Sequence, residues 1–186
     1  WNIRRGNKAL AWLREALPTV GERATLQWLG TSAIKLTIAK AKEPFRDAEI
    51  VIAMEPRDVP ILWWHGHAHG RRDTLILRAH LRQSPRFEAE LLNPGRWTGR
   101  ETLEEMDQAQ WTKTTLGDTV SGKAALQALS SGAGAEEWLR RWQEKMRDSG
   151  TECARLSLRR SAPQHIEWHI TLPKLEALSA EQVLSM

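Results

Sequence analysis

The sequence predicts an α+β fold: antiparallel sheet hairpins packed with several helices, as one domain or two similar-sized subdomains. Three observations carry that expectation. Several short segments alternate apolar and polar residues with period two, as half-buried antiparallel strands do. Other segments place Leu, Ala and Trp at helical spacing behind recognisable caps. Strands and helices come in groups, without the regular strand-helix alternation of a doubly wound sheet. With 186 residues, 41% hydrophobic and 27% charged, the chain is long enough to bury a proper core and too apolar to be disordered.

Residues 7–17 (NKALAWLREAL) set Leu10, Leu13 and Leu17 on one helical face with Trp12 at its margin, and Pro18 reads as the stop. From 32 to 40, Ile34, Leu36 and Ile38 alternate with Lys35 and Thr37, and 48–54 is a second β-branched run. The charged stretch 41–47, with Pro44 inside it, connects them. Asp58 reads as an N-cap, with Pro60 in the first turn of a short helix through Trp63 and Trp64. Leu75, Leu77, Ala79 and Leu81 then share one strand face, as do Phe87, Ala89 and Leu91, with a turn at Gln83-Ser84-Pro85. Paired as a hairpin, these strands put Arg78 and His80 opposite Glu88 and Glu90.

Thr98-Gly99-Arg100-Glu101 has the form of a capping box opening a helix to about Met106. Residues 121–129 and 135–146 read as helices separated by the flexible link 130–134. Two strands follow, Cys153 to Arg159 and His165 to Leu172, joined at Ser161-Ala162-Pro163, and a second capping box stands at 179–182. In this last hairpin Leu156, Leu158, Ile166, Trp168, Ile170 and Leu172 are expected inside. Arg155, Ser157, Arg159, His165, Glu167 and His169 are expected to face water or a partner. A subdomain boundary is expected, if anywhere, near 95–115.

No apolar run approaches the ~18 residues of a spanning helix. The opening Trp1-Asn2-Ile3-Arg4-Arg5-Gly6-Asn7-Lys8 instead sets an aromatic residue beside a basic cluster, the pattern expected on the cytoplasmic side just after a membrane span. Residues 1–18 therefore read as a juxtamembrane basic flank and first helix, and 19–186 as the α+β domain, on the cytoplasmic face of a single-pass anchor upstream. The lone Cys153 cannot form an internal disulfide and no Asn-x-Ser/Thr acceptor occurs, which fits a reducing compartment. A net charge of +4, with acidic residues interleaved, permits attraction to RNA or anionic lipid without requiring it.

Three near-motifs carry chemistry. Gly117 to Lys123 has P-loop spacing, but Ala124 stands where Ser or Thr should hold magnesium, and Gln110 to Leu116 is too polar for the buried parallel strand that should feed the loop. His65, His67 and His69 alternate as ligands can when the backbone is extended, within a segment whose Gly66, Gly70, Arg71 and Arg72 indicate an exposed loop. His165, Glu167 and His169 form a row on the last strand, and Arg155, Arg159 and Arg160 on its neighbour add a basic patch suited to phosphate contact.

The order of elements also resembles the cytosolic domain of the calumin family, from the endoplasmic-reticulum machinery that chaperones multipass membrane proteins. The residues that carry the likeness are Asn7, Ala11 and Trp12 in the first helix, Val20-Gly21 after it, and the late strand Trp168-His169-Ile170-Thr171-Leu172-Pro173. Spacing from Asn7 to Trp12 is shorter than in that family, and the basic coiled-coil tail that follows there is not in this sequence. The resemblance implies a membrane-anchored, non-catalytic α+β domain facing the cytoplasm.

These readings predict a cytoplasmic interaction or scaffold domain of a membrane-anchored protein. A membrane protein or other protein is the expected partner, anionic lipid or RNA are further candidates, and no cofactor or small-molecule substrate is evident. One alternative is a metal-dependent hydrolase using His65, His67 and His69, with His165 or His169 supplied from across the fold. Another is an RNA-binding domain using Arg155, Arg159 and Arg160, with His165 and His169 beside them.

Overall fold

The computed structural model describes residues 2–105, 111–118, 125–176 and 178–184. The fold is α+β, built on one nine-stranded antiparallel sheet. Helix α1 (Asn2–Val20) leads into the strands β1 (Thr25–Leu29), β2 (Ala33–Ile38) and β3 (Phe45–Ala53). Helix α2 (Pro60–Ala68), strands β4 (Thr74–Leu81) and β5 (Glu88–Leu92) and helix α3 (Trp97–Glu105) follow. The second half comprises β6 (Thr112–Asp118), β7 (Ala125–Ser131), α4 (Ala135–Ser149), β8 (Cys153–Leu158), β9 (Ile166–Thr171) and α5 (Ala180–Leu184).

The strand order is β1-β2-β3-β4-β9-β8-β5-β7-β6. Strands β4 and β5 therefore do not form the hairpin that their sequence suggests. The β8–β9 hairpin inserts between them, with Leu77 opposite Trp168 and Leu91 opposite Leu156. Both strands have the same alternation, so either could pair with any neighbour presenting an apolar row. Charge is matched in the observed pairing as it would be in the expected hairpin: Arg78 lies opposite Glu167, and Glu90 lies opposite Ser157 between Arg155 and Arg159. Strands from before and after residues 95–115 share the one sheet, with β4 beside β9.

Several local expectations are corrected. Helix α1 continues through Pro18, whose missing N–H falls in the last turn, and Gly21 N–H closes the helix on the Leu17 carbonyl at 3.1 Å. Val59, not Asp58, is the N-cap of α2; Asp58 accepts instead from the Thr31 hydroxyl at 3.1 Å. From Ala125 the chain is strand where a helix was expected, because Leu126, Ala128 and Leu129 satisfy both periods and the edge strand β6 supplies a ladder. The polar segment feeding the P-loop-like residues is β6 itself, an antiparallel edge strand that tolerates exposed Thr112, Lys113 and Thr115. The rest of that near-motif, 119–124, lies outside the described residues.

One sheet face is apolar: Ile34, Leu36, Ile38, Ile50, Ile52, Leu75, Leu91, Leu156, Trp168 and Ile170 are buried in one cluster. Helix α1 packs over β2 and β3 with α5 against it, while α4 packs over β5 and β7. Trp142 of α4 meets Trp168 at 5.1 Å between ring centroids, and Gly150, at φ 70°, ends α4 with Thr151 N–H on the Met146 carbonyl. Helix α3 packs over β5 and β8, where Thr102 stands above the polar residues of the opposite face. It begins so close to the end of β5 that a Cβ on Gly99 would lie 2.1 Å from the Asn93 carbonyl oxygen.

Candidate functional site

The polar sheet face carries a row of charges crossing six strands. Lys35 of β2 bridges to Glu49 of β3, and Arg78 of β4 reaches Glu49 at 3.5 Å and Glu167 of β9 at 2.8 Å. Arg155 of β8 lies 3.8 Å from Glu167 and 3.3 Å from Glu90 of β5; Arg159 lies 2.8 Å from Glu90, and the Ser157 hydroxyl donates to the same carboxylate. Glu90 is 0% exposed, and these donors are the partners of its carboxylate. Burial opposes ionisation of Glu167. Hydrogen bonds and positive charge from His169 (Nε2 to Oε1, 2.8 Å) and Arg78 prevail and hold its carboxyl at about 2.

This arrangement corrects the expectation that the face is wet. Ser157 and His169 are buried, and Trp111 stacks on the Arg159 guanidinium at 4.8 Å. Of the residues singled out from the sequence, Arg155, Arg159 and His169 meet around Glu90 and Glu167. The other two sit at the strand ends. Arg160 donates its backbone N–H to Glu88 at 3.0 Å and its guanidinium to the Arg86 carbonyl, and His165 Nδ1 accepts from Leu81 N–H at 3.0 Å. A basic patch offered to phosphate is therefore largely consumed by carboxylates and carbonyls within the fold.

His65, His67 and His69 are not on extended backbone: His65 and His67 belong to α2 and His69 is its C-cap. At helical spacing His65 and His69 stack on one side, 4.2 Å between centroids, while His67 turns inward to Glu55 with Nδ1 2.8 Å from Oε1. The sequence signal misled because the helix start at Pro60 has no stop before Gly70, and Gly66 sits quietly against the Arg71 stem. His165 lies at the opposite end of the sheet. Among the described residues no three His, Cys, Asp or Glu side chains are placed to hold a metal ion.

Beneath α2 lies a closed cluster. Arg57 pairs with Asp73 (2.8 Å) and Glu55 (2.8 Å), Arg5 of α1 also reaches Asp73, and Asn2 donates to the Glu55 carbonyl at 2.9 Å. Burial pushes against the charge on Asp73, but Arg57, the Glu55 amide and Arg5 lower its pKa below the ordinary carboxylate value. These bonds fix the first turn of α1 and helix α2 at the same end of the molecule. With Trp63 and His67 turned to Glu55, α2 leaves Ile61 79%, Leu62 59% and Trp64 69% exposed, beside an exposed Val59. Ile3 of α1 is exposed as well.

The second unusual feature lies on the apolar face. Helices α1 and α5 stand to one side and α4 to the other, and between them a cleft of about 580 Å³ opens over β3, β4, β9 and β8. Ala48 and Ala79, directly opposite one another, make part of its floor with Leu77 and Ile166. Trp138 and Trp142 form one wall, Val20, Val183 and Leu184 the other. Sequence reasoning passed over the cleft, although paired alanines on an apolar strand row and two tryptophans four residues apart are its signals. Compared with known proteins, the chain matches no family model and no curated sequence.

Proposed function

We propose that this chain is the soluble, non-catalytic binding domain of a membrane-anchored protein and that it rests against the cytoplasmic leaflet through α2. Kinship with the calumin cytosolic domain belongs to the same proposal. The observation that carries it is the exposure of Ile61, Leu62 and Trp64 on one short helix, held by the Glu55–Asp73–Arg57 cluster beside the first turn of α1. Single exposed apolar residues need no explanation, but a contiguous helical patch marks an interaction surface. Its composition suits a bilayer interface: aliphatic side chains with a Trp, histidines toward the helix end, and no acidic residue in the helix.

Charge supports the same orientation. Arg4 lies in the first turn of α1 and Arg71 just after α2; both are exposed, and neither guanidinium has a partner among the described residues. Each basic residue near an anionic surface contributes on the order of 1 kcal/mol. The carboxylates of Glu55 and Asp73 are buried in ion pairs, which leaves Asp58, exposed just before α2 and accepting from the Thr31 hydroxyl, as the acidic group beside the patch. No helix among the described residues is long and apolar enough to cross a membrane, so contact through α2 would be interfacial.

Co-sedimentation with phosphatidylserine-containing vesicles tests the reading. The chain should bind, more weakly as salt rises, and the triple variant Ile61→Ser, Leu62→Ser, Trp64→Ser should lose on the order of tenfold or more in affinity. Its unfolding temperature should be unchanged, because these side chains are outside the core. Failure of the native chain to bind, or equal binding by the variant, would remove the proposal.

A further inference from the structure

We propose that the cleft on the apolar face is a binding site for a long-chain carboxylate, with the hydrocarbon over the alanine floor and the carboxylate at Arg86. The inference is independent of the membrane reading, since α2 is at the other end of the sheet and contributes nothing to the cleft.

The shape comes from the sequence. In β3 and β4 the apolar row would ordinarily carry large side chains, as it does at Ile50, Ile52 and Leu75. At the facing pair Ala48 and Ala79 it carries methyl groups, and no helix covers the gap. The cleft is therefore a recess lined by rigid aromatic and aliphatic walls, of a volume usual for small-molecule sites and too small to seat a protein domain. Trp138, Trp142 and Trp168 form a tilted aromatic series along one side, with neighbouring centroids 5.7 and 5.1 Å apart. Such a surface offers broad aromatic contact area to a flexible hydrocarbon chain.

The polarity is one-ended. Three charged residues border the cleft, Glu49, Arg78 and Arg86. Glu49 and Arg78 direct their charges to the opposite sheet face, where they pair with each other and with Lys35 and Glu167. Arg86 alone of the three has a guanidinium without a partner among the described residues, and it is exposed next to Pro85 and Phe87 where β5 begins. An apolar body with a single terminal anion is the complementary ligand: the chain removes apolar surface from water and the head meets a planar cation able to bind a carboxylate in two-pronged fashion.

Palmitate binding, followed by calorimetry below its micelle concentration, tests this. The native chain should bind one palmitate, and methyl palmitate should bind more weakly. Arg86→Gln, an exposed change that leaves the core intact, should weaken palmitate about tenfold and leave methyl palmitate unaffected. Ala79→Phe should abolish binding of both; if it fails to fold, Ala48→Leu serves in its place. No palmitate binding, or binding indifferent to both floor substitutions, would overturn the site. Equal loss of acid and ester on Arg86→Gln would overturn the assignment of the head. Sedimentation showing a dimer that Ala79→Phe disperses would assign the cleft to a second copy of the chain and also refute the proposal.

Discussion

The two faces of the sheet differ in what they leave unfinished. On the polar face, acids and bases from six strands neutralise one another, α3 and Trp111 lie over part of the row, and even the fully buried Glu90 has three donors. On the apolar face the helices divide into two groups and leave alanine-floored space between them. The residues with the most chemical potential in the sequence are thus occupied with holding strands in register. The vacancies are apolar, on the cleft and on α2, and function is sought there.

That contrast can be broken most forcefully by removing a completed charge. Glu90→Ala leaves Arg155 and Arg159 facing each other without their shared anion and should cost about 3–5 kcal/mol in urea unfolding. Trp168→Ala, on the other face of the neighbouring hairpin, should cost about 3–5 kcal/mol through a cavity beside Trp142. If Glu90→Ala proves nearly neutral, the row is ornamental and the polar face is again open to a ligand.

Acid separates the faces next. The Glu167 carboxyl sits at about 2, below its ordinary 4.5, and those of Asp73 and Asp47 are also lowered, each against the opposing effect of burial, by arginine and, for Asp47, His80 contacts. A depressed carboxylate contributes stability that is fully present above its unfolded pKa and is lost as pH falls through the folded one. Unfolding free energy should therefore decline from about pH 4.5 toward 2, with Trp168→Ala showing the same slope as the native chain. His169→Ala, which removes a hydrogen bond to the Glu167 carboxylate, should flatten that slope and cost about 1.5–3 kcal/mol at neutral pH. A loss within about 0.5 kcal/mol, as for an exposed residue, would contradict its burial.

Much of the fold was legible because alternation reports which side of a strand is apolar. Of the inward set of the last hairpin, Leu156, Leu158, Trp168, Ile170 and Leu172 are buried as the pattern indicates, while Ile166 is half-buried and lines the cleft. Strand order was not legible, since β4 and β5 are adjacent in sequence and both apolar on one face, and Arg78 finds a carboxylate in either pairing, Glu88 or Glu90 in the expected hairpin and Glu167 in the observed sheet. Residues 125–129 read as helix because Leu126 and Leu129 fit helical spacing, and 130–131 as link, whereas β7 runs Ala125–Ser131. The site was less legible still. His65, His67 and His69 stand out in sequence yet diverge on a helix, whereas Ala48 and Ala79 become informative only when a sheet sets them face to face.

The membrane reading makes its sharpest claim at Ile61. Burial pushes the Cys153 thiol up to about 12, leaving it inert to thiol reagents at neutral pH, so an Ile61→Cys variant can carry a nitroxide label at one chosen position. Power-saturation EPR with anionic vesicles should place that label below the phosphate level, with oxygen accessible and a water-soluble nickel chelate excluded. A label at 61 that stays as accessible to nickel with vesicles as without them would contradict the account.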